Sequence, residues 1–209
     1  MAIATWLAFT IAYAIMAFTP GPVIMLIVSY ALSQGRRTAL AIVAGTTLGD
    51  STCMTAAVLG VGALLQASAL AFTLLKLFGA AYLVFLGVKL WRQPVGETVA
   101  ADPRTGLSLG RAFAHAYLST AFNPKTVLFF MVFVPQFMNP HAALFPQLGS
   151  MLISIMVFGA LIDGGYSLFA ARIGARLSSR RSRMTVNKVA GGVLVGEGAL
   201  AAAWRGIGA

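Results

Sequence analysis

Acidic residues are what this chain has least of: five in 209 residues, against fifteen lysines and arginines. Cysteine occurs once, at Cys53, which excludes an intramolecular disulfide and a paired-thiol redox centre and leaves packing as its role. The only histidines are His115 and His141. They fall near opposite faces of the topology drawn below, so they suit interfacial positions better than one site, and no metal or other cofactor is expected. Long polar stretches are also missing. With 59% hydrophobic and 10% charged residues and a mean hydropathy of +0.86, the chain lies outside the range of soluble globular domains. A net charge of +10 without a polar surface to carry a basic patch excludes nucleic acid as the natural partner. The lipid bilayer takes that place. No lysine or arginine precedes the first apolar run, so that run reads as a retained span rather than a signal peptide.

What is present in quantity is apolar sequence. Spans are expected at 3–33, 39–64, 68–91, 112–138, 145–172 and 187–204. Basic residues gather in the first, third and fifth connections, from Arg36 and Arg37 to Arg172, Arg176, Arg180, Arg181, Arg183 and Lys188. The second and fourth connections have none, so the positive-inside rule puts both termini outside the cytoplasm, with Arg205 the one dissenting charge. Trp6, Trp91 and Trp204 sit at span ends, where indoles favour the interface. The expected fold is an all-α integral membrane bundle, one domain over 1–209, with halves 1–92 and 111–209 joined by a cytoplasmic linker 93–110. Three spans on each side make the halves inverted repeats.

Two spans are interrupted. In the first, Thr19-Pro20-Gly21-Pro22 removes two amide hydrogens, so the carbonyls of Met16 and Phe18 lose their helical partners. In the fourth, Asn123-Pro124-Lys125 supplies an N-cap and a first-turn proline for a new half-helix. Identity between the halves reads as faint beyond these breaks. In hydrocarbon a broken backbone persists only where it is buried in protein or lines a wet cavity. Interruptions at corresponding places in two halves point to a transporter's substrate site, though a plain proline kink is the alternative. The first turn of a helix starting at Pro22 would aim the amides of residues 23–25 at an anion such as a carboxylate.

Three of the five acids, Asp50, Asp163 and Glu197, fall inside predicted spans. Asp50 lies roughly 17 Å and Asp163 roughly 14 Å from the nearest span end, at about 1.5 Å per residue, which is midplane depth. Acids at that depth are candidates for binding a proton or an ammonium group. The alternative is a buried ion pair with Lys125 or Lys76. Lys125, in the first turn of its half-helix, opposes the dipole, so an anion should accompany it: a protein acid or a bound carboxylate. Glu197, nearer the outer interface, reads as solvated or paired. Thr46, Thr47, Ser51, Thr52 and Thr55 offer hydroxyls around Asp50.

The run Thr19 to Pro22, Ser33-Gln34-Gly35-Arg36-Arg37, Gly45 to Asp50, Leu77 to Leu83 and Asn123-Pro124-Lys125 together resemble the LysE/RhtB amino-acid exporters over nearly the whole length. Glu197, where that family usually has an apolar residue, and His115 depart from the pattern. The resemblance implies a non-enzymatic inner-membrane exporter of amino acids or related metabolites, driven by the proton-motive force. Its candidate substrate and proton residues are Asp50, Asp163, Lys125, Asn123, Pro124, Thr19, Pro20, Gly21 and Pro22. A passive channel and an intramembrane aspartyl protease using the two aspartates are the competing readings. The oligomeric state is open, a homodimer included.

Overall fold

A computed structural model describes residues 1–19, 21–92, 108–139, 141–170 and 180–203, and among them every regular element is a helix. The first apolar run is two helices, α1 (Ile3–Phe18) and α2 (Pro22–Gln34). Then come α3 (Arg36–Ala67) and α4 (Ala69–Arg92). The second interrupted run is α5 (Leu109–Ala121) and α6 (Pro124–Phe133), the latter extended by a 3₁₀ turn, Val134–Phe137. α7 (Leu144–Ser154) and α8 (Ala160–Leu168) flank a π turn at Ile155–Gly159, and α9 (Arg180–Ala203) is last.

Both predicted interruptions are real, and each follows from local chemistry. Gly21 caps α2 in an extended conformation and Pro22 takes its first turn, where a missing amide hydrogen costs nothing. Asn123 caps α6 through its side chain, accepting from the Lys125 amide at 3.0 Å, and Pro124 follows in the first turn. The axis turns by 57° between α1 and α2 and by 50° between α5 and α6.

Three continuous stretches, Arg36–Gly60, Thr73–Arg92 and Leu144–Leu168, are long and apolar enough to cross a bilayer, and counting each bent pair as one span makes five. The sixth expected span does not reach that apolarity, because α9 mixes Lys188, Glu197 and several glycines into its apolar residues. It also starts at Arg180 rather than 187. Arginine is a good helix former, and hydropathy sees only the apolar part of a helix. Pro20, most of the 93–110 linker, residues 171–179 and Trp204 to Ala209 lie outside the described residues.

Phe9, Tyr13, Phe129 and Phe130 are fully buried at the centre, with the Tyr13 ring stacked on Phe9 and Phe130 at centroid separations of 6.4 and 6.2 Å. Large apolar side chains such as Phe78, Phe122, Phe145 and Leu161 face outward, as a lipid-bathed surface allows. Between helices in lipid, close packing replaces the hydrophobic effect as the adhesive. Along α4 and α9 glycines provide it: a Cβ on Gly191 would stand 2.5 Å from the Gly87 carbonyl, and one on Gly198 2.7 Å from that of Ala80. α5 lies against α3 in the same manner, with Gly45 under the Phe113 carbonyl and Gly49 under that of Tyr117.

Candidate functional site

The ends of both broken helices line one cavity of about 40 Å³. Thr19 and Gly21 reach it from the first break, Asn123 and Lys125 from the second, and Asp50 and Asp163 from α3 and α8. Met16, Ala17, Val23 and Ile24 add apolar wall, and Thr46, Thr120 and Thr126 add hydroxyls. The volume suits a few waters at roughly 10–15 Å³ each. It is far below the roughly 300–1,000 Å³ of a small-molecule pocket.

Carbonyls at the first break accept hydrogen bonds from side chains of the other half of the chain, Met16's in addition to the Thr19 amide at 3.3 Å. Lys125 Nζ donates to the carbonyls of Met16 at 2.8 Å and Thr19 at 3.2 Å, and the Tyr166 hydroxyl donates to that of Phe18 at 2.9 Å. The Thr19 hydroxyl turns back onto the Ile15 carbonyl at 2.6 Å. Lys125 therefore resolves its conflict with the α6 dipole by standing at the negative end of α1. Among the described residues no acid forms an ion pair with Lys125.

Asp50 and Asp163 are 8% and 7% exposed, and among the described residues the hydrogen bonds of Lys125 go to backbone carbonyls rather than to either acid. Asp50 Oδ2 accepts from the Tyr13 hydroxyl at 2.9 Å. Asp163 Oδ2 lies 2.6 Å from Thr46 Oγ1, which is also 2.9 Å from the Val43 carbonyl. Thr46 is the donor in both contacts, so its one hydroxyl proton is shared between the Asp163 carboxyl and the Val43 carbonyl.

Of the sequence candidates, Thr19, Gly21, Asp50, Asn123, Lys125 and Asp163 thus meet at the cavity, while Pro22 and Pro124 open the half-helices behind it. Pro20 lies outside the described residues. The amide of Met25 is taken by the Gly21 carbonyl at 3.0 Å, which leaves Val23 and Ile24 as first-turn donors lining the cavity. Glu197 overturns its expectation. It is 7% exposed, and both carboxyl oxygens are buried without a hydrogen-bond partner among the described residues. Thr120 Oγ1 and Thr47 Oγ1 are likewise buried and unpartnered.

Sequence reasoning missed Tyr13, Tyr166 and Gly159. Gly159, in the π turn, leaves room for Tyr13: a Cβ there would stand 2.5 Å from its hydroxyl. A signal for Tyr13 existed. With Pro20 set on Pro124, residues 8–23 and 112–127 match at eight of sixteen positions, among them Phe9 with Phe113, Tyr13 with Tyr117, Phe18 with Phe122 and Val23 with Val127. Identity around the breaks is therefore not faint. Tyr117, the counterpart, also reaches α3, donating to Thr52 Oγ1 at 3.4 Å.

No solved structure matches this chain. Among curated proteins, an uncharacterized membrane protein of Vibrio cholerae is 33% identical over 202 residues, covering 97% of this chain and 98% of the relative. The homoserine/homoserine lactone efflux protein of Salmonella typhimurium is 31% identical over 203 residues, covering 96% and 97%. The leucine efflux protein of Salmonella choleraesuis is 28% identical over 125 residues, 58% and 59% of the two chains. Residues 14–203 match the LysE type translocator family, and with broken apolar helices converging on buried acids, the chain belongs to that family.

Proposed function

We propose that this protein exports amino acids or closely related metabolites across the bacterial inner membrane, exchanging them for protons by alternating access. The observation that carries the reading is that two helix breaks and two buried aspartates line one small cavity. A zwitterion fits its chemistry. The first-turn amides of Val23 and Ile24 and the positive end of α2 suit a carboxylate. Asp50 and Asp163 suit an ammonium group or, in its absence, a proton. Lys125 is already engaged with the α1 carbonyls, so it serves as a carboxylate anchor only when it leaves them.

A cavity of about 40 Å³ must widen before it admits an amino acid, and the elements that move in this reading are the half-helices α2 and α6. The eight identities around the two prolines support a six-span arrangement of two inverted halves, with α9 as the sixth span and both termini outside the cytoplasm. Homoserine and leucine, in the names of the relatives, are the first substrates to try.

Proteoliposome counterflow tests the proposal. Vesicles are loaded with homoserine, homoserine lactone and leucine, a proton gradient is imposed in either direction, and released compounds are identified by mass spectrometry. Saturable release that follows the gradient supports exchange; release that ignores the gradient and does not saturate supports a passive channel; no release of any of the three overturns the substrate class.

A further inference from the structure

Hydroxyls inside a membrane helix settle on the carbonyl four residues back, since no water is there to take them. Thr10, Thr19, Ser51, Thr52 and Thr55 all do so. Thr120, in the last turn of α5, does not. The residue is 2% exposed, and its Oγ1 is buried with no hydrogen-bond partner among the described residues. Its position is fixed on two sides. The carbonyl of Thr120 accepts from the Asn123 amide at 3.0 Å, which ties it to the second break. Its methyl faces α3, where a Cβ on Gly49 would stand 2.8 Å from Thr120 Cβ and 3.2 Å from Cγ2. The hydroxyl, the other branch at that Cβ, is left to the cavity that Thr120 lines with Asp50 and Asp163. Within that cavity the Thr19 hydroxyl is bound to the Ile15 carbonyl and that of Thr46 to Asp163 and Val43. Thr47 Oγ1, equally unpartnered, belongs to a residue off the cavity wall, 3.9 Å from where a Cβ of Gly159 would lie.

We infer that Thr120 reads a hydroxyl on the solute, so that the site prefers amino acids with a hydroxylated side chain to apolar ones of the same shape. The inference deepens the export reading and rests on it. With the ammonium at Asp50 or Asp163 and the carboxylate at the α2 amides, the side chain is the part left to be recognised. Gly49 is next to Asp50 in the chain, so Thr120 packs beside that acid. A hydroxyl both donates and accepts, so a solute hydroxyl can bond Thr120 Oγ1 in either sense. An apolar isostere leaves it buried and unpaired, and a site of this kind discriminates against the solute that lacks the polar group.

The test measures ligand-induced shifts in the thermal unfolding midpoint of the full chain in detergent, with two pairs of zwitterions matched in shape: homoserine against norvaline, and threonine against valine. In the wild type the hydroxylated member of each pair should reach its half-maximal shift at a concentration at least about fivefold lower. Thr120→Val removes the hydroxyl at constant shape, and the ratio should fall towards one; Thr120→Ala serves if the valine variant does not fold, and Thr120→Ser should keep the preference. Equal response to both members of each pair in the wild type, or a preference that survives in Thr120→Val and Thr120→Ala, overturns the assignment and leaves amino-acid export standing. No shift with any of the four overturns the export reading as well.

Discussion

Tyr13 is the residue on which the account of the acids is most exposed. Its hydroxyl is the hydrogen-bond partner of Asp50, and its ring is held between Phe9 and Phe130 while Gly159 leaves the hydroxyl space. Tyr13→Phe keeps the ring and removes the donor, so Asp50 is left buried without that bond, at a cost of about 1–3 kcal/mol. The expected outcomes are a lower denaturation midpoint in detergent and a shifted pH profile of export; an unchanged midpoint and profile would mean the bond carries neither stability nor function. Depth along a span was legible for Asp50 and Asp163, because counting residues at about 1.5 Å each fixes height in a membrane. The direction each carboxyl faces was not. A tyrosine in an apolar run reads as packing, and the ion pair with Lys125, the alternative by sequence, is not what forms, because Lys125 is engaged with backbone carbonyls.

At the level of elements, the two breaks were the most readable feature, since a proline's missing amide and an asparagine's capping oxygen act within a few residues and owe nothing to tertiary context. The start of α9 was the least readable, because charges that mark a loop by hydropathy continue as helix when arginine supplies them. The α6 cap gives a local test. Asn123→Ala removes the acceptor for the Lys125 amide and is expected to cost about 0.5–2 kcal/mol, while Asn123→Asp retains it, both read from denaturation midpoints in detergent. Equal loss in the two variants would show that the residue acts on the cavity rather than as a cap.

For the whole molecule, the composition alone separated a membrane bundle from every soluble class, and the matched breaks suggested two related halves. Which helices pack together came only with the structure: α9 on α4 and α5 on α3 depend on glycine contacts that a linear reading treats as interchangeable. The basic connections predict the orientation. With a single buried cysteine as background, His141→Cys should react with a membrane-impermeant maleimide added to intact cells and Ser108→Cys should not; the opposite pattern would invert the topology. The most direct measurement of the central claim compares the initial rate of homoserine efflux from proteoliposomes under an inward proton gradient for the wild-type chain and for Asp50→Asn. The account predicts gradient-driven efflux in the first and its loss in the second, with both proteins equally folded and inserted. Undiminished, gradient-driven efflux by Asp50→Asn would contradict it and remove this carboxyl from the mechanism.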